Sequence, residues 1–182
     1  MAEKIHLPNI LSALRAFLIP VIIVLLSFEK PSYHRIAAII FALAALTDMV
    51  DGLIARRYDS VTALGKLLDP LADKLLVSSI LIMLVSLGKA PGWMAAVIVG
   101  REILITGMRG ISMERGRVVA AEGSGKLKTV TQYLAIFFLC LGDKIFGLSM
   151  GKIGIILLWI ALILTVYSGT VLLFHCFKRD IY

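Results

Sequence analysis

Long apolar runs alternate with short polar breaks along this chain, and the pattern predicts six helical spans. They fall near residues 10–28, 33–55, 66–87, 91–111, 129–141 or beyond, and 151–177. Several approach or exceed the roughly 18 to 20 apolar residues needed to cross a bilayer. The first three breaks are short (EKPSYHR, RRYDSVTALGK, GKAPG), and the fourth, residues 112–128, is the longest polar segment. Neither an internal repeat nor a composition shift divides the chain, so residues 1–182 are expected to form a single six-helix transmembrane domain.

Composition strengthens this reading. Of the 182 residues, 59% are hydrophobic, and the mean hydropathy is +0.94, more apolar than a soluble domain that must cover itself with polar groups. The first apolar run continues past Ile19 to Phe28 with no small-residue cleavage site after it, so a spanning helix is expected there, not a cleaved signal. Cys140 and Cys176 lie in apolar runs without metal-ligand spacing and are expected to be buried thiols.

The net charge of +7 would allow a nucleic-acid partner, but the positions of the charges exclude that reading. With a cytoplasmic N-terminus, twelve Lys and Arg fall on the inner side, and five (Lys30, Arg35, Lys89, Lys144, Lys152) on the other. That imbalance follows the positive-inside rule and places both termini in the cytoplasm. Trp93, beside Pro91 and Gly92, suits an interfacial anchor, whereas Trp159 lies inside the last span and is expected to pack on a neighbouring helix.

Four carboxylates interrupt this apolar chain: Asp48 and Asp51 at the end of the second span, Asp69 and Asp73 in the third. Pairs three or four residues apart share one helix face. The short connection between these spans predicts antiparallel neighbours. Asp48 lies eight residues before Arg56, and Asp73 seven after Lys66, so each sits roughly 10 to 12 Å of helix from a basic end. One intramembrane charge costs on the order of 3 kcal/mol, and four together about 10, comparable to the stability of a whole domain. Two divalent ions would balance four carboxylates, and oxygen-only ligands favour Mg²⁺ or Mn²⁺. Gly52 and Ala55 would let a ligand approach the second helix, and Arg56 could pair a phosphate oxygen bidentately. Gly65 is expected just before the third helix, whose amino end presents unpaired N–H groups, and Pro70 in its early turn.

The pattern Asp48-x2-Asp51-Gly52-x2-Ala55-Arg56-x8-Gly65-x3-Asp69-x3-Asp73 resembles the signature of the CDP-alcohol phosphatidyltransferase family, with all eight positions filled at the family's spacing. The six-span layout resembles the family too, along the whole chain. The stretches LPNILSALRAFLIP, REILITGMR and GSGKLKTVTQ are most similar to bacterial members that transfer to glycerol 3-phosphate; Ser12 stands where many relatives carry Thr. The resemblance implies that Asp48, Asp51 and Asp69 ligate one or two divalent ions holding the pyrophosphate of CDP-diacylglycerol. Asp73 would help hold the second ion and act as general base on the acceptor hydroxyl. Gly52, Ala55 and Gly65 would line the nucleotide pocket, with Arg56 nearby. It further implies a homodimer in the bacterial inner membrane, its active site facing the cytoplasm.

The acceptor is read from charge. Arg109, Arg115, Arg117, Lys126 and Lys128 gather around the fourth connection, and such a cluster would hold the dianionic phosphate of glycerol 3-phosphate. The motif stretches raise Arg109, Lys126 and Lys128 above Arg115 and Arg117. Asn9 and Arg15, at the start of the first helix, are further candidates for CDP-diacylglycerol, with a local cap and a snorkelling side chain as the plain alternatives. Lys74, Arg101 and Glu102 lie within spans and are expected to pair with one another; His6, His34 and His175 receive no role. The competing readings are a sister transferase using an inositol phosphate or serine, and a cation- or proton-coupled transporter.

Overall fold

The computed structural model describes the backbone of residues 7–54, 63–114, 124–142, 144–145 and 147–180, and the side chains of 14–47, 74–108, 110, 127–142, 145 and 147–173. Among the described residues the chain is all-helical apart from one short β ribbon: α1 Leu7–Ser27, α2 Pro31–Ile54, α3 Ala63–Ser86, α4 Gly92–Glu114, α5 Ser124–Leu141 and α6 Met150–Asp180. Each expected span is therefore a helix, with ends moved by a few residues. The largest difference is α5, which begins at Ser124, five residues before the expected span, because SGKLK extends the helix ahead of the apolar run. The ribbon, β1 Lys144–Ile145 with β2 Leu148–Ser149, was not legible as strand. Its two-residue pairing depends on a tight turn in which Gly147 adopts φ +78°.

Buried positions recur at helical spacing. Ala37, Ala38, Phe41, Ala44 and Ala45 form the inward face of α2, and Leu76, Val77, Ile80, Leu81 and Leu84 that of α3. Small residues on α2 let Phe41 reach Tyr133 of α5 edge-on, at a centroid distance of 5.9 Å. The outward faces are apolar as well: Phe17, Ile82, Ile103, Ile156, Ile163 and Tyr167 are all exposed. A soluble chain would put charge there, so the exposed apolar faces call for an apolar surrounding. Within the described residues Met150–Leu173 is long and apolar enough to cross a membrane, and four shorter apolar segments lie on α1, α2, α3 and α5.

Among the described residues α2 packs against α1 and α5, and α3 against α1, α4 and α5. α1 and α5 each contact both α2 and α3, while the facing ends of α2 and α3, on which the expected pairing of these two helices falls, have side chains outside the described residues.

Two turns fix the end of the molecule away from the aspartates. α3 stops in a left-handed glycine cap: Gly88 has φ +68°, its N–H donates to Val85 O at 3.0 Å, and the Lys89 N–H donates to Leu84 O at 2.9 Å. Gly142, at φ +63°, ends α5 in the same conformation. Trp159 packs on Trp93 of α4 with centroids 5.4 Å apart, so the expectation of a helix partner for it holds.

Candidate active site

The described helices carry six of the eight signature positions. Asp48, Asp51 and Gly52 lie in the last turns of α2, and Gly65, Asp69 and Asp73 in the first half of α3. Within each pair the spacing sets both carboxylates on one side of the helix. Their side chains lie outside the described residues, as do Ala55 and Arg56 altogether. The donor set itself fits a divalent ion, since four carboxylates and no thiol or imidazole make a hard, oxygen-only site.

Two expectations about α3 change. Gly65 is the third residue of the helix instead of preceding it, so its N–H is still among the first four that find no partner inside a helix. Pro70 is the eighth residue, well beyond the early turn where its missing N–H would be costless. Both differences arise because α3 starts at Ala63, ahead of the apolar run that marked the span.

The described charges converge beside this region. Glu102, at the middle of α4, is 5% exposed, and its two carboxylate oxygens go to different helices. Lys74 Nζ of α3 meets Oε2 at 2.8 Å, while Lys128 Nζ of α5 donates to Oε1. Arg101 Nη1 also donates to Oε1, at 3.2 Å, and its Nη2 donates to Ser168 Oγ of α6 at 2.8 Å. Gly169 makes room for that arginine, because a Cβ there would lie 2.8 Å from Arg101 Nε. One carboxylate thus joins α3, α4 and α5, and its neighbouring arginine adds α6. The expected pairing of Lys74, Arg101 and Glu102 is present. The fourth member, Lys128, was expected at an acceptor phosphate, and it is 6% exposed with its ammonium on Glu102.

A cavity of about 10 Å³ lies alongside, lined by Lys74, Ser78, Glu102, Thr129, Gln132 and Tyr133 among others. Ligand pockets measure hundreds of Å³, so this cavity by itself is too small to hold a substrate-sized molecule. Its polar lining continues the charged cluster toward α5, where Gln132 is buried.

Of the remaining candidates, Arg15 is 3% exposed on α1. Its head is inside the protein, which removes the snorkelling alternative. Asn9, Arg109 and Lys126 fall on α1, α4 and α5 with side chains outside the described residues; Arg115 and Arg117 lie outside them entirely. The sequence reading missed the hub role of Glu102. The available signal was a lone acid in an apolar helix, within reach of basic residues on two other spans.

The chain matches the CDP-alcohol phosphatidyltransferase family over residues 5–167. It is 43% identical over 176 residues to the CDP-diacylglycerol–glycerol-3-phosphate 3-phosphatidyltransferase of Bacillus subtilis, covering 90% of this chain and 91% of that one. To the enzyme of the same name from Rickettsia typhi it is 39% identical over 165 residues, covering 90% and 93%. A probable phosphatidylglycerophosphate synthase of Mycobacterium tuberculosis is 38% identical over 174 residues, covering 92% and 80%. The chain therefore belongs to the CDP-alcohol phosphatidyltransferase family, which is membrane-associated and in general uses divalent metal ions.

Proposed function

We propose that this protein transfers the phosphatidyl group of CDP-diacylglycerol to glycerol 3-phosphate, giving phosphatidylglycerophosphate and CMP. The observation that carries the reading is the complete eight-position signature, six of whose positions fall on α2 and α3. The names of the relatives, similar along nine-tenths of the chain, support the acceptor.

In this mechanism Asp48, Asp51, Asp69 and Asp73 would hold two divalent ions, Mg²⁺ or Mn²⁺, which would supply positive charge to neutralise the pyrophosphate and the departing CMP. Gly52, Ala55 and Gly65 admit the nucleotide to the helix backbone, and Arg56 pairs a phosphate oxygen; Asn9 and Arg15 border the same pocket. Asp73 takes the proton from the acceptor hydroxyl, whose oxygen forms the new bond to the phosphatidyl phosphorus as the bond to CMP breaks. Arg109, Lys126 and Lys128, with Arg115 and Arg117, hold the acceptor's phosphate. An ammonium carries three N–H donors, so bonding to Glu102 leaves Lys128 able to serve an anion as well.

The setting proposed for this chemistry is a single six-span domain in the bacterial inner membrane, both termini and the active site cytoplasmic, working as a homodimer among membrane lipids. The nucleotide then arrives from the cytosol while the acyl chains stay in the leaflet. The test is CMP release by detergent-purified protein given CDP-diacylglycerol, Mg²⁺ and one acceptor at a time. Release with glycerol 3-phosphate alone, abolished by EDTA, is the expected result. Release with inositol phosphate or serine instead would replace the acceptor. No release from folded protein would favour an ion-coupled transporter.

A further inference from the structure

We infer that Glu102 is a positioning residue for the acceptor, orienting Lys128 and Lys74 through its two carboxylate oxygens; this rests on the function proposed above. The geometry is specific. Oε2 holds Lys74, the residue after Asp73, at 2.8 Å, and Oε1 holds Lys128, two residues after Lys126 on α5. The proposed base and the proposed phosphate-binding helix are thus joined through one buried side chain.

The carboxylate is itself held. Arg101 donates to it at 3.2 Å and is anchored on Ser168 of α6 at 2.8 Å. Glu102 therefore has a fixed place from which to direct the two ammoniums. A lysine is a point charge on a flexible four-carbon stem. Without a fixed counter-charge its head has no defined direction, and a buried ammonium is tolerated only when paired. An anion arriving beside α5 benefits from a charge already held in place, because no ordering cost falls at the moment of binding.

The same geometry makes the effect selective. Among the described residues the cluster joins α3, α4, α5 and α6, and none of its described members lies on α2, which carries Asp48, Asp51 and Gly52. Loss of Glu102 should weaken use of the acceptor far more than use of the nucleotide substrate. A merely structural staple would lower stability and disturb both substrates alike.

The test is CMP release by the full chain in detergent with Mg²⁺, titrating glycerol 3-phosphate and CDP-diacylglycerol in turn. Glu102→Gln should raise the KM for glycerol 3-phosphate about tenfold and leave that for CDP-diacylglycerol within about twofold. Glu102→Asp, which keeps the charge, should recover part of the loss. Added to Lys128→Met, Glu102→Gln should raise the acceptor KM little further, the non-additivity expected of residues acting through one contact. An equal rise in both KM values, an unchanged acceptor KM, or full additivity in the double variant overturns the inference. Should Glu102→Gln not fold, Glu102→Asp decides by the same split between the two KM values. Wild-type protein inert with glycerol 3-phosphate overturns the functional reading, and the inference with it.

Discussion

Lysines are drawn between helices in two regions of this molecule, and their described partners differ in kind. In the middle of the bundle Lys74 and Lys128 meet a buried carboxylate. Beyond the other end of α3, the described partners of Lys89 are neutral groups: Nζ donates to His34 Nδ1 at 2.8 Å and to Cys140 O at 3.4 Å. His34 Nε2 lies 3.1 Å from Leu26 O, a pure acceptor, so that nitrogen carries the proton and Nδ1 is left to accept from Lys89. The clasp ties the ends of α1, α2 and α5 to the α3–α4 turn using groups that a helix end offers in any case. The inner cluster instead buries a full negative charge, which is seldom the cheapest way to join helices. A chain that accepts that cost beside Asp73 has a use for fixed charge there, and needs only a fastening at the other end.

The sharpest break between the two regions should be in turnover. Asp73→Asn removes the proposed base while preserving shape, and a positioned base contributes on the order of 100- to 10,000-fold. CMP release should fall by about a thousandfold, with thermal stability in detergent unchanged or raised as one intramembrane charge disappears. Retained turnover would take the base away from Asp73. Removing divalent ions with EDTA should abolish release as completely, and added Mg²⁺ should restore it.

The next effect is on stability. Glu102→Ala leaves the buried Lys128 and the half-buried Lys74 without their shared counter-charge, a loss of about 3 kcal/mol or more. For a chain of this size that is roughly 10 °C in thermal midpoint. A shift of only a degree or two would mean that the lysines find other partners, and that the inner cluster is no more demanding than the outer clasp.

These two regions were not equally legible in the sequence. The helices were, because continuous apolar runs leave little choice of structure, and so was the mutual pairing of Lys74, Arg101 and Glu102, since charges in such runs must find each other. The signature aspartates declared themselves by spacing and by the cost of placing carboxylates in apolar helices. Lys128 was read as an anion ligand because its basic neighbours on the chain were visible, whereas its partner Glu102, 26 residues away, was not. His34 received no role, because its bond to Lys89 spans 55 residues and depends on where the Gly88 turn sends the chain. Periodicity reports which face of a helix is apolar. It does not report which helix lies against that face, and so the contacts of α1 and α5 with both α2 and α3 were not announced.

Close packing of α5 on α6 extends the comparison to residues without charge. At Gly154 an added Cβ would lie 2.8 Å from Leu139 N and 2.7 Å from Leu139 Cγ. Backbone cannot swing aside as a side-chain tip can, so Gly154→Ala must push the two helices apart, at a cost of about 2 kcal/mol. The expected fall in thermal midpoint is about 5 °C. Turnover per folded molecule should hardly change, because Leu139 lies near the clasp end of α5 and the proposed acceptor residues at its start.

The smallest effect should come from the clasp. Lys89→Met keeps the length and the apolar stem of the side chain but gives up its bonds to His34 and Cys140 O. Neutral hydrogen bonds of this sort contribute about 1 kcal/mol net, equivalent to roughly 3 °C here. His34 keeps its bond to Leu26 O, so the first connection should stay in place. KM values for both substrates should match wild type, since no proposed ligand lies on this turn. The measurement is thermal unfolding in detergent alongside CMP release. A fall as large as that of Glu102→Ala would make the two regions equivalent supports, and buried charge beside Asp73 would then need no functional explanation.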